Sequence, residues 1–193
     1  MNGNKNGGIV ALNIMKKTVK THNSNLCFNK NSVVKTLRDG ITWPKRNYEL
    51  YKIFCESYDY CVKVTNYIDK HSFEMERLEI KGYVGDMLQH KYINKNIISY
   101  NQMQDYNIDR MLVNKIVRTY KKLYVDCLDF SMQHLPLGEY FFHVDTNLGN
   151  VIITEDNQVK IIDPDSFHIT NTLINPIYTS ECQSLLTYAE TAL

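Results

Sequence analysis

The sequence predicts an α+β protein with two lobes, in which a small antiparallel sheet with one helix is followed by a mainly helical part. Short β-prone runs separated by turns fill the first half, and a long amphipathic pattern dominates the second. The chain has 193 residues, which suits two small lobes, and its 44% of hydrophobic residues can bury a core. A cleft between two such lobes is a common place for a ligand.

The first lobe is predicted over residues 14–78, after an Asn- and Gly-rich terminus at residues 1–13 that we expect to be loose. The stretch "LCFNKNSVVKTL" has two β-prone runs around Asn-Lys-Asn, which predicts a hairpin. Pro44 suits the first turn of a helix whose apolar residues recur at helical spacing as far as Tyr58. A second hairpin is predicted in "YCVKVTNYIDKHSFEMERL", with its turn at "DKH".

The second lobe is predicted over residues 79–193. A long helix is expected from Ile108 to His134, and Pro136 ends it. Two short strands, Val151–Thr154 and Val159–Ile162, then form a small hairpin around a polar turn. The apolar residues of the helix recur with a period of one helical face and predict its buried stripe: Leu112, Ile116, Tyr120, Leu123, Cys127 and Phe130.

Composition and charge narrow the classes of function. A formal net charge of +1 gives no global field for nucleic acid or an anionic membrane, so neither is expected as a partner. Five cysteines without a C-x-x-C pair fit neither a zinc site nor a disulfide framework, and they favour a reducing compartment. The sequence has neither the pattern of a signal peptide nor an apolar run of about 20 residues, the length that a membrane helix needs. We therefore predict a cytoplasmic protein.

The stretch "YFFHVDTNLGNVIITEDNQVKIIDPDSF" concentrates polar residues at the two ends of the predicted small hairpin. Asp145 and Asn150 lie on the loop before it, and Asp163 closes it, so that the hairpin returns Asp163 beside that loop. Carboxylate and amide oxygens are the ligands that Mg²⁺ prefers. Taken singly, each residue also fits a turn or a cap, but together they indicate a site.

At these residues the chain resembles the protein-kinase-like superfamily, whose catalytic loop and metal-binding hairpin have this order. "HVDTNLGN" and "IIDPD" are most similar to the small-molecule branch, such as aminoglycoside and choline kinases. The resemblance implies that Asp145 orients or deprotonates the acceptor hydroxyl and that His143 braces the loop. It implies that Asn150 and Asp163 bind Mg²⁺ and that Asp165 is a further metal ligand.

The same resemblance implies a lysine on a strand of the first lobe and a glutamate on its helix. In "SVVKTL", alternation places Val33, Lys35 and Leu37 on one face of a strand. The resemblance then assigns Lys35 to the phosphates of ATP, Val33 to the adenine, and Glu49 on the next helix to an ion pair with Lys35. The alternatives are a surface lysine and a solvated helix acid.

"FEMERLE" resembles the hinge between the lobes of this superfamily. Met75 would be the gatekeeper residue, and the backbone of Glu76 and Leu78 would contact the adenine edge. A plain strand end is the alternative.

The sequence departs from the superfamily in four places. No glycine-rich loop precedes the lysine, and "THNSN" stands at the expected turn. Only 28 residues follow Asp165, which predicts a shortened helical lobe, and there is no Ala-Pro-Glu segment for peptide docking. Asn147 occupies the position of a lysine that protein Ser/Thr kinases place two residues after the catalytic aspartate.

These features predict a compact kinase that depends on ATP and Mg²⁺ and phosphorylates a hydroxyl of a small molecule or an unidentified protein. One alternative is a non-catalytic nucleotide-binding pseudokinase that regulates a partner. Another is a protein that transfers AMP on the same fold. Asp145 favours chemistry, since a pure scaffold does not need it.

Overall fold

The computed structural model describes residues 17–84 and 110–173. The elements of the first part are β1 (Lys17–Lys20), β2 (Ser24–Phe28), β3 (Ser32–Leu37), α1 (Lys45–Ser57), β4 (Val64–Asp69) and β5 (Ser72–Glu76). The strands form one antiparallel sheet in the order β1-β2-β3-β5-β4, and one helix accompanies it, as predicted. Both predicted hairpins are present. In this part the sequence did not predict β1, whose residues are all exposed and therefore show no alternation.

The second part combines a long helix with two small sheets. The helix runs over Arg110–His134, in agreement with the prediction, although residues 108 and 109 lie outside the described residues. The elements are β6 (Ile80–Tyr83), α2 (Arg110–His134), β7 (Tyr140–His143), β8 (Val151–Thr154), β9 (Val159–Ile161) and β10 (Phe167–Thr170). Strands β6, β8 and β9 form one antiparallel sheet, and β7 pairs with β10 in the other. The hairpin of β8 and β9 was predicted, whereas β6, β7 and β10 were not.

The boundary between the lobes, predicted after residue 78, remains a prediction. It falls in residues 77–79, the short connection between β5 and β6. A second link joins the two parts through the backbone: the N–H of Val62 donates to the carbonyl of Ile161, and the N–H of Ile161 donates to that of Tyr60. The predicted loose terminus at residues 1–13 lies outside the described residues.

A single aromatic core spans both parts, with Phe54 of α1 at its centre. The ring of Phe54 lies 5.3 Å from that of Phe130 and 5.3 Å from that of Phe167, centroid to centroid. Trp43, just before α1, is fully buried and donates its indole N–H to the carbonyl of Phe167 at 3.3 Å. The helix α1 is therefore fixed between the five-stranded sheet and the second part.

The described residues include four cysteines and two α-helices. The four cysteines of the described residues, Cys27, Cys55, Cys61 and Cys127, are free thiols. Within residues 17–84 and 110–173, neither helix combines the length and apolarity that crossing a bilayer requires.

Replacing Phe54 by alanine tests the shared core. Its side chain is fully buried, so that the Phe54→Ala variant should lose about 3–5 kcal/mol of unfolding free energy, measured by urea denaturation. The neighbouring Ile53 is 43% exposed, and Ile53→Ala should change the unfolding free energy by about 0.5 kcal/mol or less. Equal losses in the two variants would contradict this account of the core.

Candidate active site

A cleft of about 300 Å³ lies between the five-stranded sheet and the β8–β9 hairpin. Eight of the eleven residues that the sequence singled out line it: Val33, Lys35, Met75, Glu76, Leu78, Asp145, Asn150 and Asp163. Glu49, His143 and Asp165 do not belong to its lining. Residues more than 120 positions apart in sequence thus meet at one site, as Lys35 and Asp163 do.

Apolar side chains provide much of the lining, which suits a flat, mostly apolar ligand. Val33 on β3 lies directly opposite Met75 on β5 in the sheet register. Ile152 of β8 contributes from the second part of the protein. Glu76 ends β5, and its backbone N–H donates to the carbonyl of Lys63 at 2.9 Å.

Lys35 is buried and lies between the carboxylates of Asp163 and Asp165. The alternation predicted for β3 is confirmed, with Val33, Lys35 and Leu37 all buried. The ammonium of Lys35 donates to Oδ1 of Asp163 and, at 2.6 Å, to Oδ1 of Asp165. Burial tends to lower the pKa of Lys35, but the neighbouring carboxylates of Asp165 and Asp163 outweigh it and raise that pKa above its ordinary value.

The predicted ion pair between Lys35 and Glu49 is wrong. Glu49 lies on the exposed face of α1 and pairs with Lys45, 3.7 Å away. The inward face of α1 carries Asn47 and Tyr51 instead. Because two residues correspond to about 200° of rotation around an α-helix, Glu49 points away from the face that these neighbours bury.

The backbone at Asp163 explains how its carboxylate reaches the cleft. Asp163 follows β9 and adopts φ 70° and ψ 58°, in the left-handed region. Aspartate tolerates this conformation better than most residues, and Pro164 disfavours the right-handed helical conformation for the residue before it. The hydroxyl of Ser166 donates to Oδ2 of Asp163 at 3.1 Å. The lysine contact and the hydroxyl together hold the pKa of Asp163 below its usual range, although burial opposes this.

Asp145 lies on an exposed loop that its neighbours order. Asn147 donates its amide N–H to Oδ1 of Asp145 at 2.6 Å, and Asn150 donates to Oδ2 at 3.1 Å. The same amide nitrogen of Asn150 donates to the carbonyl of Asp145 at 2.8 Å. Because the Asn150 nitrogen provides these bonds, its Oδ1 oxygen remains for another ligand. A turn of 3₁₀ helix at Leu148–Asn150 carries this residue toward the cleft.

His143 ends β7 behind the cleft. Its Nε2–H donates to the carbonyl of Ile162 at 3.1 Å, which fixes the tautomer, and its buried Nδ1 has no hydrogen-bond partner. Burial lowers the pKa of His143, so the imidazole is held neutral. Its bond to Ile162 connects the loop of Asp145 to the segment that ends in Asp163.

The turn that replaces a glycine-rich loop also lines the cleft, and Arg38 holds it. Thr21 and Ser24 share a hydrogen bond of 2.9 Å between their hydroxyls across the turn. The backbone N–H of Arg38 donates to the carbonyl of Asn23 at 3.0 Å, and its guanidinium donates to that of Thr21 at 2.5 Å. Arg38 was not among the residues that the sequence predicted at this site, although the pairing of Ser24 with Leu37 places it beside the turn.

The oxygen ligands that the cleft offers suit a hard cation that keeps part of its hydration shell. Among the described residues no group of three or more His, Cys, Asp or Glu could hold a metal ion. Asp163 and Asn150 both line the cleft. Mg²⁺ in nucleotide sites typically takes one or two protein ligands, with phosphates and water completing its octahedron. Two oxygen donors at this position therefore fit Mg²⁺ together with a phosphate ligand.

No protein-family model and no curated protein matches the sequence. Solved structures do match. The kinase PK-1 of the Cydia pomonella granulovirus has 14% identity over 77% of this chain and 49% of that chain, with a TM-score of 0.50. A choline/ethanolamine kinase family protein from Mesorhizobium loti has 9% identity over 94% of this chain and 66% of that chain, with a TM-score of 0.49. APH(2″)-IIa, in a ternary complex with streptomycin and ATP, has 15% identity over 91% of this chain and 78% of that chain, with a TM-score of 0.47.

The likeness to the granulovirus kinase shows the fold. The protein has the protein-kinase-like fold that the sequence predicted, with an antiparallel sheet in the first part and a helical second part. The chain spans about half the length of that viral kinase.

The buried imidazole of His143 predicts how stability depends on pH. Since its pKa is lowered in the folded state, the unfolded chain binds a proton more readily, and stability should fall as pH drops below about 6.5. This group contributes a loss of about 1.4 kcal/mol per pH unit until its folded-state pKa is reached. The His143→Gln variant keeps a donor for Ile162 and should show a smaller decrease between pH 7 and 5 by urea denaturation. The idea is wrong if the two curves run parallel.

Proposed function

We propose that the cleft binds ATP together with Mg²⁺ and that the protein transfers the γ-phosphate to a hydroxyl of a small molecule or an unidentified protein. The observation that carries this proposal is the convergence of Lys35, Asp145, Asn150 and Asp163 on one cleft of about 300 Å³. Phosphoryl transfer needs a cation for the phosphates, oxygen ligands for Mg²⁺ and a group that orients the acceptor. These four side chains provide all of them.

In this proposal the apolar part of the cleft takes the adenine. Val33 and Met75 would lie against the ring, with the backbone of Glu76 and Leu78 at its edge. Lys35 would contact the α- and β-phosphates. The turn at Thr21–Ser24 would lie over the phosphates. Without glycine this turn has less conformational freedom, and the hydrogen bonds from Arg38 fix its shape.

Asp163 and Asn150 would hold the metal. Mg²⁺, when bound, neutralises phosphate charge and orients the phosphates for in-line transfer. The orientation of Asn150 supports this role, because its amide nitrogen faces Asp145 and leaves its oxygen for a cation. His143 would hold the loop of Asp145 and Asn150 in place through its hydrogen bond to the carbonyl of Ile162.

Asp145 would act on the acceptor hydroxyl. It is exposed at the cleft, where an acceptor can approach, and two asparagine amides orient its carboxylate. A carboxylate held in this way can accept the proton of the hydroxyl as the new bond to phosphorus forms. Asn147 provides the neutral amide donor at the position where protein Ser/Thr kinases have a lysine.

The predicted surroundings of the protein belong to the same proposal. Four free cysteines in the described residues support a reducing, cytoplasmic location. A formal net charge of +1 supports an acceptor other than nucleic acid.

The first prediction concerns nucleotide binding. A ligand that binds only the folded state stabilises it, so ATP with Mg²⁺ at about 100 times its dissociation constant should add about 2.7 kcal/mol to the unfolding free energy. A thermal shift assay with ATP, with and without Mg²⁺, measures this. The absence of a shift at millimolar nucleotide would overturn the proposal.

The second prediction separates binding from chemistry. Asp163→Ala removes a metal ligand and should lose both the Mg²⁺-dependent thermal shift and phosphate transfer from ATP. Asp145→Asn should keep the shift and lose transfer by about 10²–10⁴-fold, the range for a positioned acid or base. Slow ATP hydrolysis, followed with γ-labelled ATP, serves as the readout when no acceptor is known.

The controls separate the alternatives. Label transferred from α-labelled ATP would indicate AMP transfer instead of phosphorylation. Wild-type protein that binds nucleotide without turnover, on any of a panel of small alcohols, sugars and lysate proteins, would indicate a non-catalytic nucleotide-binding module. Lys45→Gln, on the exposed face of α1, should leave both binding and turnover unchanged.

A further inference from the structure

We propose that Asp165 is the residue that positions Lys35 toward the nucleotide, in place of the helix glutamate that the sequence suggested at Glu49. The inference rests on the proposed function, because Lys35 acts there on the phosphates of ATP. It gives Asp165 a role different from the further metal ligand that the sequence suggested.

The position of Asp165 relative to the cleft carries the argument. Its Oδ1 oxygen lies 2.6 Å from the Lys35 ammonium. The side chain of Asp165 is 11% exposed, whereas that of Asp163 is 30% exposed. Asp163 also lines the cleft and Asp165 does not. Asp165 therefore contacts the lysine from the buried side, where a metal–nucleotide complex in the cleft would not compete for it.

The alternative acid is turned away from the lysine. Glu49 is 58% exposed and pairs with Lys45 on the surface of α1. The inward position of the helix belongs to Tyr51, whose hydroxyl donates to the carbonyl of Val62 at 2.5 Å. Bringing Glu49 to Lys35 would require rotating α1 and removing this buried tyrosine from the core.

Asp163 and Asp165 then have different roles. Lys35 is only 4% exposed, so its ammonium needs a carboxylate partner to remain charged. Asp163 is the carboxylate that faces the cleft and suits a cation there, so its contact with Lys35 is shared with that role. Asp165 is the partner that Lys35 keeps. The lysine is thus aligned by the segment directly after the metal ligand, independently of α1.

Nucleotide affinity measured with and without metal tests the assignment. The probe is a fluorescent ADP derivative, titrated in EDTA and again with Mg²⁺. Asp165→Asn should weaken binding about tenfold in both conditions, because it removes a charged hydrogen-bond partner of Lys35 and touches no metal. In a Lys35→Met background, the same change should alter affinity by less than about twofold, because the two residues act as one unit. Glu49→Gln is the matched control and should bind as the wild type does.

Each other outcome has a distinct meaning. If Asp165→Asn loses only the gain that Mg²⁺ provides, Asp165 is a metal ligand and the inference is wrong. A full tenfold loss that persists in the Lys35→Met background also overturns it. Wild-type binding with no effect of Asp165→Asn refutes this inference alone, whereas no binding by the wild type refutes the proposed function and the inference with it.

Loss of folding can be separated from loss of binding. If Asp165→Asn does not fold, the double variant Lys35→Met with Asp165→Asn should fold, since it buries no underpaired ammonium. Circular dichroism measures this. A double variant that also fails to fold would overturn the pairing.

Discussion

The ion pairs of the buried Lys35 with Asp163 and Asp165 connect distant parts of this protein. Lys35 is almost fully removed from water, so its ammonium needs carboxylate partners inside the structure. Both of its partners come from the segment after β9, so the ion pair joins the five-stranded sheet to that segment. Lys35 and Asp163 also line the cleft between the sheet and the β8–β9 hairpin. The charge of Lys35 thus contributes both to the packing of the two parts and to the polar chemistry of the cleft.

The sequence predicted eight of the residues that line the cleft, because two of its signals are local. The strand alternation around Lys35 is a pattern of period two, and Asp145, Asn150 and Asp163 have spacings set by one loop and one hairpin. The pairing of the lysine is not local. Whether Glu49 or Asp165 pairs with Lys35 depends on the rotation of α1 about its axis. The burial of Tyr51 determines that rotation. That burial depends on contacts with both halves of the protein.

Two features were missed because they have no distinct hydrophobic pattern, whereas strand β7 was missed although three of its four residues are buried. Strand β1 is exposed along its whole length, and only its pairing with β2 reveals it. Arg38 was missed for a similar reason, since its role depends on hydrogen bonds to two carbonyls of a neighbouring turn. Backbone hydrogen bonds of this kind leave no mark on composition or periodicity. The long helix α2, in contrast, was found nearly to its ends because its apolar stripe repeats over about five turns.

The packing of α1 bears on how such a protein can be controlled. In protein kinases, the position of the corresponding helix is a common regulatory variable, because it carries the acid that pairs with the lysine. Here Phe54 anchors the helix in a core shared by both parts. An aromatic side chain buries about 150–250 Å², which corresponds to about 4–6 kcal/mol, so rocking this helix outward would resemble partial unfolding. A switch based on displacement of α1 is therefore costly in this protein.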